Sequence, residues 1–247
     1  MTGLAALTKT QSKIFLREPL AVFFGLVFPA LILVVIGTVF PDATDPSADL
    51  DGRSLVEIYA PAAIVLGLAT VALTLLPATL GGDREKGILR RLSTTPAHPR
   101  TLVAAHLIVQ LTVVTLAALA AVVLAVVVFD IPFPESPGWF LASYALSALA
   151  LLGLGVLIGA IVPTVSSGQA LGMLVYFPLL FFAGVYVPLQ VMPEAIRTIS
   201  GYTPSGAAVE ALTTSWAGET PDMIHLLVMA VYAVVAGLLA VRVFRWD

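Results

Sequence analysis

Residues 58–100 read IYAPAAIVLGLATVALTLLPATLGGDREKGILRRLSTTPAHPR, and this stretch decides the fold. Its first part, Ile58–Leu80, contains no Asp, Glu, Lys or Arg, whereas residues 81–100 contain seven. A helix of about 20 apolar residues crosses the hydrocarbon core of a bilayer. A charge at the bilayer centre costs about 3 kcal/mol. The change at Gly81 therefore predicts a transmembrane helix that ends at a charged membrane surface.

The same pattern recurs along the whole chain. Six apolar runs lack charged residues: Leu20–Phe40, Ile58–Leu80, Thr101–Phe129, Gly138–Val162, Ala170–Val187 and Met223–Val241. A mean hydropathy of +1.02 with 59% hydrophobic residues excludes an ordinary soluble core. The sequence predicts an all-α, polytopic membrane protein with six transmembrane helices. Little chain remains for another unit, so we expect a single membrane domain over residues 1–247.

The charges between the runs alternate in sign and predict the orientation. Ten of the 12 Lys and Arg residues fall on one side of the membrane. The other side has only Arg53 and Arg197 as bases, with eleven acids that include those of the loop 41–57. Basic segments stay in the cytoplasm. With six spans, both termini are therefore expected to be cytoplasmic.

Residues 3–17 (GLAALTKTQSKIFLR) predict an amphipathic helix ahead of the first span. At about 100° per residue its apolar side chains share one face, namely Leu4, Leu7, Ile14 and Phe15. Its bases lie opposite, namely Lys9, Lys13 and Arg17. We expect this helix to lie on the inner leaflet, with its bases toward headgroups or a cytoplasmic partner. The alternative is that the bases act only as a topology signal.

The cytoplasmic loop predicts a second short helix, at residues 83–96. Gly81 and Gly82 are expected to break the helix that leaves the membrane. Asp83 and Glu85 then suit a new helix N-terminus. Ile88, Leu89 and Leu92 give the new helix an apolar face. A solvated loop does not need such a face, so we expect it to press against another protein; alternatively, its bases only enforce topology.

Three further segments carry predictions of their own. Gly155 and Gly159 form a GxxxG pair, which favours tight helix packing. Pro163–Gln169 is expected to be a short polar turn on the cytoplasmic side. Residues 188–222 contain the helix-like pieces Glu194–Ser200 and Ser205–Trp216, which are too short to cross a membrane. This segment is expected to be re-entrant or to lie on the outer face.

Several kinds of chemistry are missing from the sequence. The chain has no GxxxxGK[ST] motif, so we expect no ATP bound through a P-loop. It has no Cys, and its three His residues lack metal-ligand spacing, which predicts no metal site. None of the six runs contains a carboxylate, so the usual proton or sodium relay is absent. Any pumping is therefore expected to draw its energy from another chain.

Three segments, in this order and over nearly the whole chain, carry a resemblance to a known family. They are the entry Arg17-Glu18-Pro19 with Pro29, the loop Asp83–Pro96 (DREKGILRRLSTTP), and the outer segment Ala183–Leu212. Together they resemble the permeases of ABC-2 type exporters, especially the branch related to daunorubicin-resistance permeases. One departure is Arg90-Arg91, where that family more often has an acidic residue before the Arg.

This resemblance implies a partner and a role for the loop. Two permease domains, identical or paralogous, would work with two ABC ATPase subunits on separate chains, which would hold the ATP and Mg. This chain would then bind no cofactor and would not be an enzyme. The helix at residues 83–96 would be the coupling helix seated in an ATPase groove, through Glu85, Gly87, Ile88, Arg90, Arg91, Leu92 and Pro96. The helix at residues 3–17 and the turn Pro163–Gln169 would contact the same ATPase.

The resemblance also implies a substrate route between the two permease domains, along spans one, two and five. Span five carries Tyr176, Phe177, Phe181 and Phe182, which suit hydrophobic or amphipathic cargo. Ordinary packing and an aromatic belt are the alternative. The expected function is export of drug-like or lipid compounds across a bacterial plasma membrane, with no nucleic-acid partner. The alternatives are an exporter of lipid-linked polysaccharide, or a membrane enzyme or scaffold that has no ATPase partner.

Overall fold

A computed structural model describes residues 3–50, 52–88, 91 and 99–244. In this part of the chain the secondary structure is helical, apart from one isolated bridge between Ser47 and Arg53. The described helices are α1 (Gly3–Leu16), α2 (Pro19–Val39), α3 (Leu55–Glu85), α4 (Pro99–Val128), α5 (Pro137–Ile161), α6 (Val165–Phe182), α7 (Glu194–Gly201), α8 (Pro204–Trp216) and α9 (Met223–Val243). Helices α2 to α6 and α9 are long and apolar enough to cross a membrane. The all-α fold with six candidate spans is confirmed.

Helix α3 continues beyond the predicted end of its span. It runs through Gly81 and Gly82 to Glu85, so the predicted helix break at these glycines is wrong. The helix ends instead where Gly87 adopts a φ of 66°. A Cβ atom at Gly81 would overlap the backbone of Thr164, which means that this glycine allows close packing. Asp83–Glu85 therefore form the last turn of α3 and do not begin the predicted coupling helix.

Helix α6 begins and ends about five residues earlier than predicted. Thr164 and Ser167 form a capping box at its N-terminus, in which each side chain accepts a hydrogen bond from the other residue's backbone amide. The predicted polar turn Pro163–Gln169 is therefore wrong from Val165 onward, because those residues are helical. At the other end, α6 stops at Phe182, and Gly184 then adopts a φ of 73°.

Helix α3 forms the centre of the bundle. In its most apolar window 78% of the residues are buried, compared with 17% for α6 and 22% for α9. Helices α2, α4, α5 and α6 all pack against it, and α9 packs on the far side of α5. The helices around α3 therefore leave much of their apolar surface facing outward.

Two glycines let neighbouring helices approach the backbone of α3. The segment Thr70–Leu75 is π-helical, and Pro77 follows it. Gly155 of α5 lies against the Ala72 carbonyl, and Gly172 of α6 lies against the Leu73 carbonyl. The residue four positions after Leu73 is Pro77, which has no backbone N–H to donate to the Leu73 carbonyl as in a regular α-helix. Gly159 packs against Leu80. The packing role predicted for the GxxxG pair is confirmed.

The loops gather at two opposite ends of the bundle. We define the basic end by α1, the last turn of α3, the start of α4, the link 162–164 and Phe244. We define the acidic end by residues 40–54, 129–136 and 183–222. Backbone hydrogen bonds from Glu135 and Ser136 to Trp216 and Ser215 join the last two segments, and the turn Ala48–Leu50 lies beside the turn Leu189–Val191. This separation is the one that the alternating charges predict.

Helix α1 packs on α4 at the basic end. Its inward positions recur at helical spacing and are at least partly buried: Leu4, Leu7, Thr8, Gln11, Ser12 and Phe15. Lys9, Lys13 and Arg17 are exposed, as predicted, but Ile14 is also exposed. The predicted amphipathic helix is therefore present, although its inner face is more polar than expected.

Helices α7 and α8 cover the acidic end. Both short helices begin and end within one residue of their predicted pieces. Helix α8 is almost entirely buried and packs against α3, α5 and α9. The Ser205 hydroxyl donates to the Leu179 carbonyl at 2.6 Å, and the Trp216 indole N–H donates to the Pro132 carbonyl at 2.8 Å. These bonds join α8 at both ends to the loops and helices around it.

Candidate functional site

Three consecutive residues at the end of α3 each bind a different helix. Asp83 binds α4, Arg84 binds the C-terminus of α5, and Glu85 binds the N-terminus of α6. We call this cluster the basic-end junction. Its three residues begin the segment 83–96, which the family resemblance implies to be in contact with an ATPase. Any force on that segment therefore reaches three spans through adjacent residues.

Asp83 and His106 form a buried polar pair. The Asp83 Oδ2 and His106 Nε2 atoms lie 2.7 Å apart, and the two residues are 8% and 3% exposed. A buried polar group that loses its partner costs about 1–3 kcal/mol. The pair therefore fixes the end of α3 against the first turns of α4. Asp83 lies three residues beyond the apolar run Ile58–Leu80, which itself contains no carboxylate.

The Arg84 guanidinium caps the C-terminus of α5. It donates to the carbonyls of Gly159 at 3.1 Å and Ala160 at 3.2 Å, and also to the carbonyl of Val162. A cation at this position satisfies the carbonyls that a helix leaves without partners and opposes the negative end of its dipole. The Phe244 ring lies 5.5 Å from the guanidinium, in cation–π geometry.

Glu85 performs the complementary role at α6. Its Oε2 atom accepts a hydrogen bond from the Val165 backbone amide at 3.1 Å. A carboxylate at a helix N-terminus interacts favourably with the positive end of the helix dipole. The last turn of α3 thus caps the C-terminus of α5 with the cation of Arg84 and the N-terminus of α6 with the anion of Glu85.

A small apolar cluster lies beside these polar contacts. Leu102, Ala160 and Phe244 form its buried part, and Leu7 and Ile88 pack against it. The cluster brings together α1, α4, α5, the residue after α9 and the first residue after the Gly87 turn. It therefore extends the junction to the interfacial helix α1.

The structure describes only part of the predicted coupling set. Arg90, Leu92 and Pro96 lie outside the described residues. Glu85 caps α6, and Ile88 is partly buried against its own chain, so neither side chain is wholly available to a partner. Gly87 provides the turn, and the Arg91 amide donates to the Gly87 carbonyl at 3.1 Å, as in a first helical turn.

The predicted substrate aromatics do not share one face of α6. The Tyr176 hydroxyl lies 3.0 Å from the Thr70 hydroxyl and faces α3. Phe177 and Phe181 are exposed on the outside of the helix bundle, and Phe182 is half-buried. Phe177 and Phe181 thus lie on surface that a second protein or lipid would cover.

Sequence reasoning missed the Asp83–His106 pair and the Arg84 cap. One signal was present, because His106 is an ionisable residue within an apolar run, and such residues are often functional. Its partner lies 23 positions away across a loop. Neither hydropathy nor metal-ligand spacing reports a contact of this kind.

We expect Arg84→Leu to destabilise the protein by about 2–3 kcal/mol, since hydrogen bonds from a charged group contribute about 1.5–3 kcal/mol. The variant also leaves the α5 carbonyls without their donor. Lys86→Leu is the matched control, because Lys86 is an exposed neighbour. Thermal unfolding of both purified variants in one detergent checks this. Equal shifts in the unfolding midpoint would show that the Arg84 cap does not matter.

The fold and the junction define a class of protein: a polytopic helical membrane protein whose spans are tied together at one charged loop. Residues 2–215 match the family described as "ABC-2 type transporter". The chain therefore belongs to the ABC-2 type transporter family. Membership identifies the chain as a transport permease of the membrane.

Curated relatives are similar to parts of this chain. It is 27% identical over 138 residues to "Inner membrane transport permease YhhJ" of Escherichia coli, which is 56% of this chain and 37% of that protein. It is 24% identical over 199 residues to "Putative transport permease ycf38" of Cyanophora paradoxa, covering 79% and 68%. It is 25% identical over 114 residues to "Nodulation protein J" of Rhizobium leguminosarum, covering 43% and 44%. The match thus spans little more than a third of the E. coli relative.

Proposed function

We propose that this chain is the membrane-spanning subunit of an ATP-driven exporter whose ATPase is a separate chain. The observation that carries the proposal is the basic-end junction. There the last turn of α3 binds α4, α5 and α6 directly before the basic loop. In a family of ABC transporters, such a loop is the natural place for an ATPase to act. We further propose that the basic end is cytoplasmic.

The proposed mechanism is mechanical. ATP binding brings two ATPase subunits together and moves the grooves that hold the coupling helix after Gly87. Because Asp83, Arg84 and Glu85 bind three other spans, these spans would move with α3 as one unit. Charge-assisted contacts from Arg90 and apolar contacts from Leu92 would transmit the force. The Lys residues of α1 would lie beside the same ATPase.

A second permease completes the proposed route. Helix α6 is the least buried span, with 17% of its window buried, and Phe177 and Phe181 lie on its outer face. An identical or paralogous chain would cover this surface and that of α2. Cargo would pass between the two chains along α2 and α6; α3, which the resemblance also implied, is buried at the centre of the bundle and is left out of this route. Apolar and aromatic surfaces favour hydrophobic or amphipathic compounds, as in a drug-exporting branch of the family.

The test is whether an ABC ATPase accompanies the protein. We expect a tagged chain, extracted gently from its host membrane, to co-purify with an ABC-type ATPase at about one-to-one stoichiometry. Mass spectrometry of the purified complex identifies the chains and reveals a paralogous permease if one is present. A chain that repeatedly purifies alone, in a detergent that preserves known ABC complexes, would contradict the proposal.

A further inference from the structure

Helices α7, α8 and α9 line an open surface cavity of about 430 Å³ at the acidic end. Its wall carries mostly charged and polar side chains: Glu194, Arg197, Thr198, Tyr202, Glu210 and His225. Ligand sites typically have volumes of about 300–1,000 Å³. His225 lies in the first turn of α9, so the cavity is level with one surface of the membrane. We call it the headgroup cavity.

The charges of the headgroup cavity are only loosely paired. The Arg197 Nε atom lies 3.6 Å from the Glu210 Oε1 atom, which is longer than a good hydrogen bond. The guanidinium and the carboxylate therefore keep capacity for other partners. Glu194 lies one turn before Arg197 on α7, so both side chains share one face. Arg197 is also one of two bases on the side that the sequence predicts to be external.

The wall of the cavity also includes His225 and Tyr202. Within the described residues, the His225 Nδ1 atom has no hydrogen-bond partner, but it is buried from solvent and is therefore not a contact for a ligand. The Tyr202 side chain is exposed at the cavity wall. An aromatic face together with carboxylates is a suitable environment for an ammonium group.

One side of this polar cavity is apolar. Ile224 lines it and is 40% exposed, and Met223, the residue before it on α9, is also exposed. A polar cavity with an apolar side at the membrane surface matches an amphipath whose head is charged and whose tail is apolar. The presence of both an arginine and two carboxylates favours a zwitterionic head over a purely anionic one.

We propose that the headgroup cavity binds an amphipath carrying an ammonium and a phosphate, the head of phosphatidylethanolamine. Arg197 binds the phosphate, because a guanidinium matches phosphate oxygens. Glu194 and Glu210 bind the ammonium beside Tyr202. The amphipath is either a bilayer lipid or the exported compound. This inference goes beyond the proposed function and does not depend on an ATPase.

Native mass spectrometry of the purified full chain tests the proposal, with phosphatidylethanolamine and phosphatidylglycerol added in turn. We expect phosphatidylethanolamine to bind about tenfold more tightly, a difference of about 1.4 kcal/mol. The double variant Arg197→Gln/Glu210→Gln should lose that preference. Its matched control, Arg53→Gln/Glu219→Gln, makes the same charge change elsewhere on the acidic end and should retain it. Equal binding of both lipids, or an unchanged double variant, would overturn the proposal.

Two additions keep the test decisive. Glu194→Gln changes an exposed residue and is expected to fold, so it serves if the double variant does not. It should reduce phosphatidylethanolamine binding and leave phosphatidylglycerol binding unchanged; no reduction would count against the proposal. Fluorescent phosphatidylethanolamine in vesicles with the co-purifying ATPase distinguishes the sources. If the fluorescent lipid crosses the vesicle membrane when ATP is added, the ligand of the cavity is the exported compound. If it binds without crossing, the ligand is a bilayer lipid; both results support the headgroup site.

Discussion

The double variant Arg90→Glu/Leu92→Asp is expected to abolish ATP-driven export while the protein still inserts in the membrane. Both residues belong to the predicted coupling helix, at its charged face and its apolar face respectively. The reversed charge at position 90 and the carboxylate placed in an apolar groove at position 92 should weaken ATPase binding at least about tenfold. A tenfold change in Kd corresponds to about 1.4 kcal/mol of binding free energy. Export and ATPase co-purification are measured in the same membranes.

The control for this variant addresses topology, because removing bases from a cytoplasmic loop can change orientation. The chain has no Cys, so a single Tyr202→Cys reports which side of the membrane the acidic end faces. Arg53→Glu, a charge reversal on the opposite side, should leave export intact. Unchanged export in a correctly oriented, well-expressed double variant would contradict the role of the loop.

The substitution Gly155→Ala is expected to cause the second large effect, a loss of stability of the helix bundle. A Cβ atom there would overlap the Ala72 carbonyl oxygen, so α5 must move away from the centre of α3. Overpacking in a close-packed core costs about 1–3 kcal/mol, and a clash with rigid backbone belongs at the upper end. We expect a lower thermal unfolding midpoint and a lower yield of folded protein.

Gly237→Ala provides the matched control. It makes the same substitution within α9, where a Cβ atom meets nothing within 4 Å. We expect this variant to unfold at the same temperature as the parent or slightly higher, since Ala favours helix over Gly. If both variants shifted the midpoint equally, the close contact between α5 and α3 would not explain the stability of the bundle.

Hydropathy and charge predict most of this fold, because the bilayer imposes them directly. A span must be about 20 residues long and uncharged, which is why all six spans lie near their predicted positions. The short helices α7 and α8 follow from the same rule, since they are bounded by Pro and are too short to cross. The amphipathic pattern of α1 likewise requires no knowledge of its neighbours.

The predictions of helix boundaries fail where contacts between separate helices determine where a helix begins or ends. Gly81 and Gly82 disfavour a helix by about 1 kcal/mol each, a preference that packing against Thr164 and Val165 overrides. The start of α6 depends on the Thr164 cap and on Glu85, which is 80 residues away. The junction and the headgroup cavity each join side chains from separate helices. Such groupings require the three-dimensional arrangement and leave no periodic signal in the sequence.

The most direct test of the central claim is to locate the ATPase on the chain. A photo-cross-linking amino acid at Lys86, an exposed residue directly after the basic-end junction, is activated in native membranes, and the attached chain is identified by mass spectrometry. Tyr202 at the acidic end is the control position. The account predicts an ABC-type ATPase attached at position 86 and absent at position 202. No ATPase at position 86, or equal attachment at both positions, would contradict it.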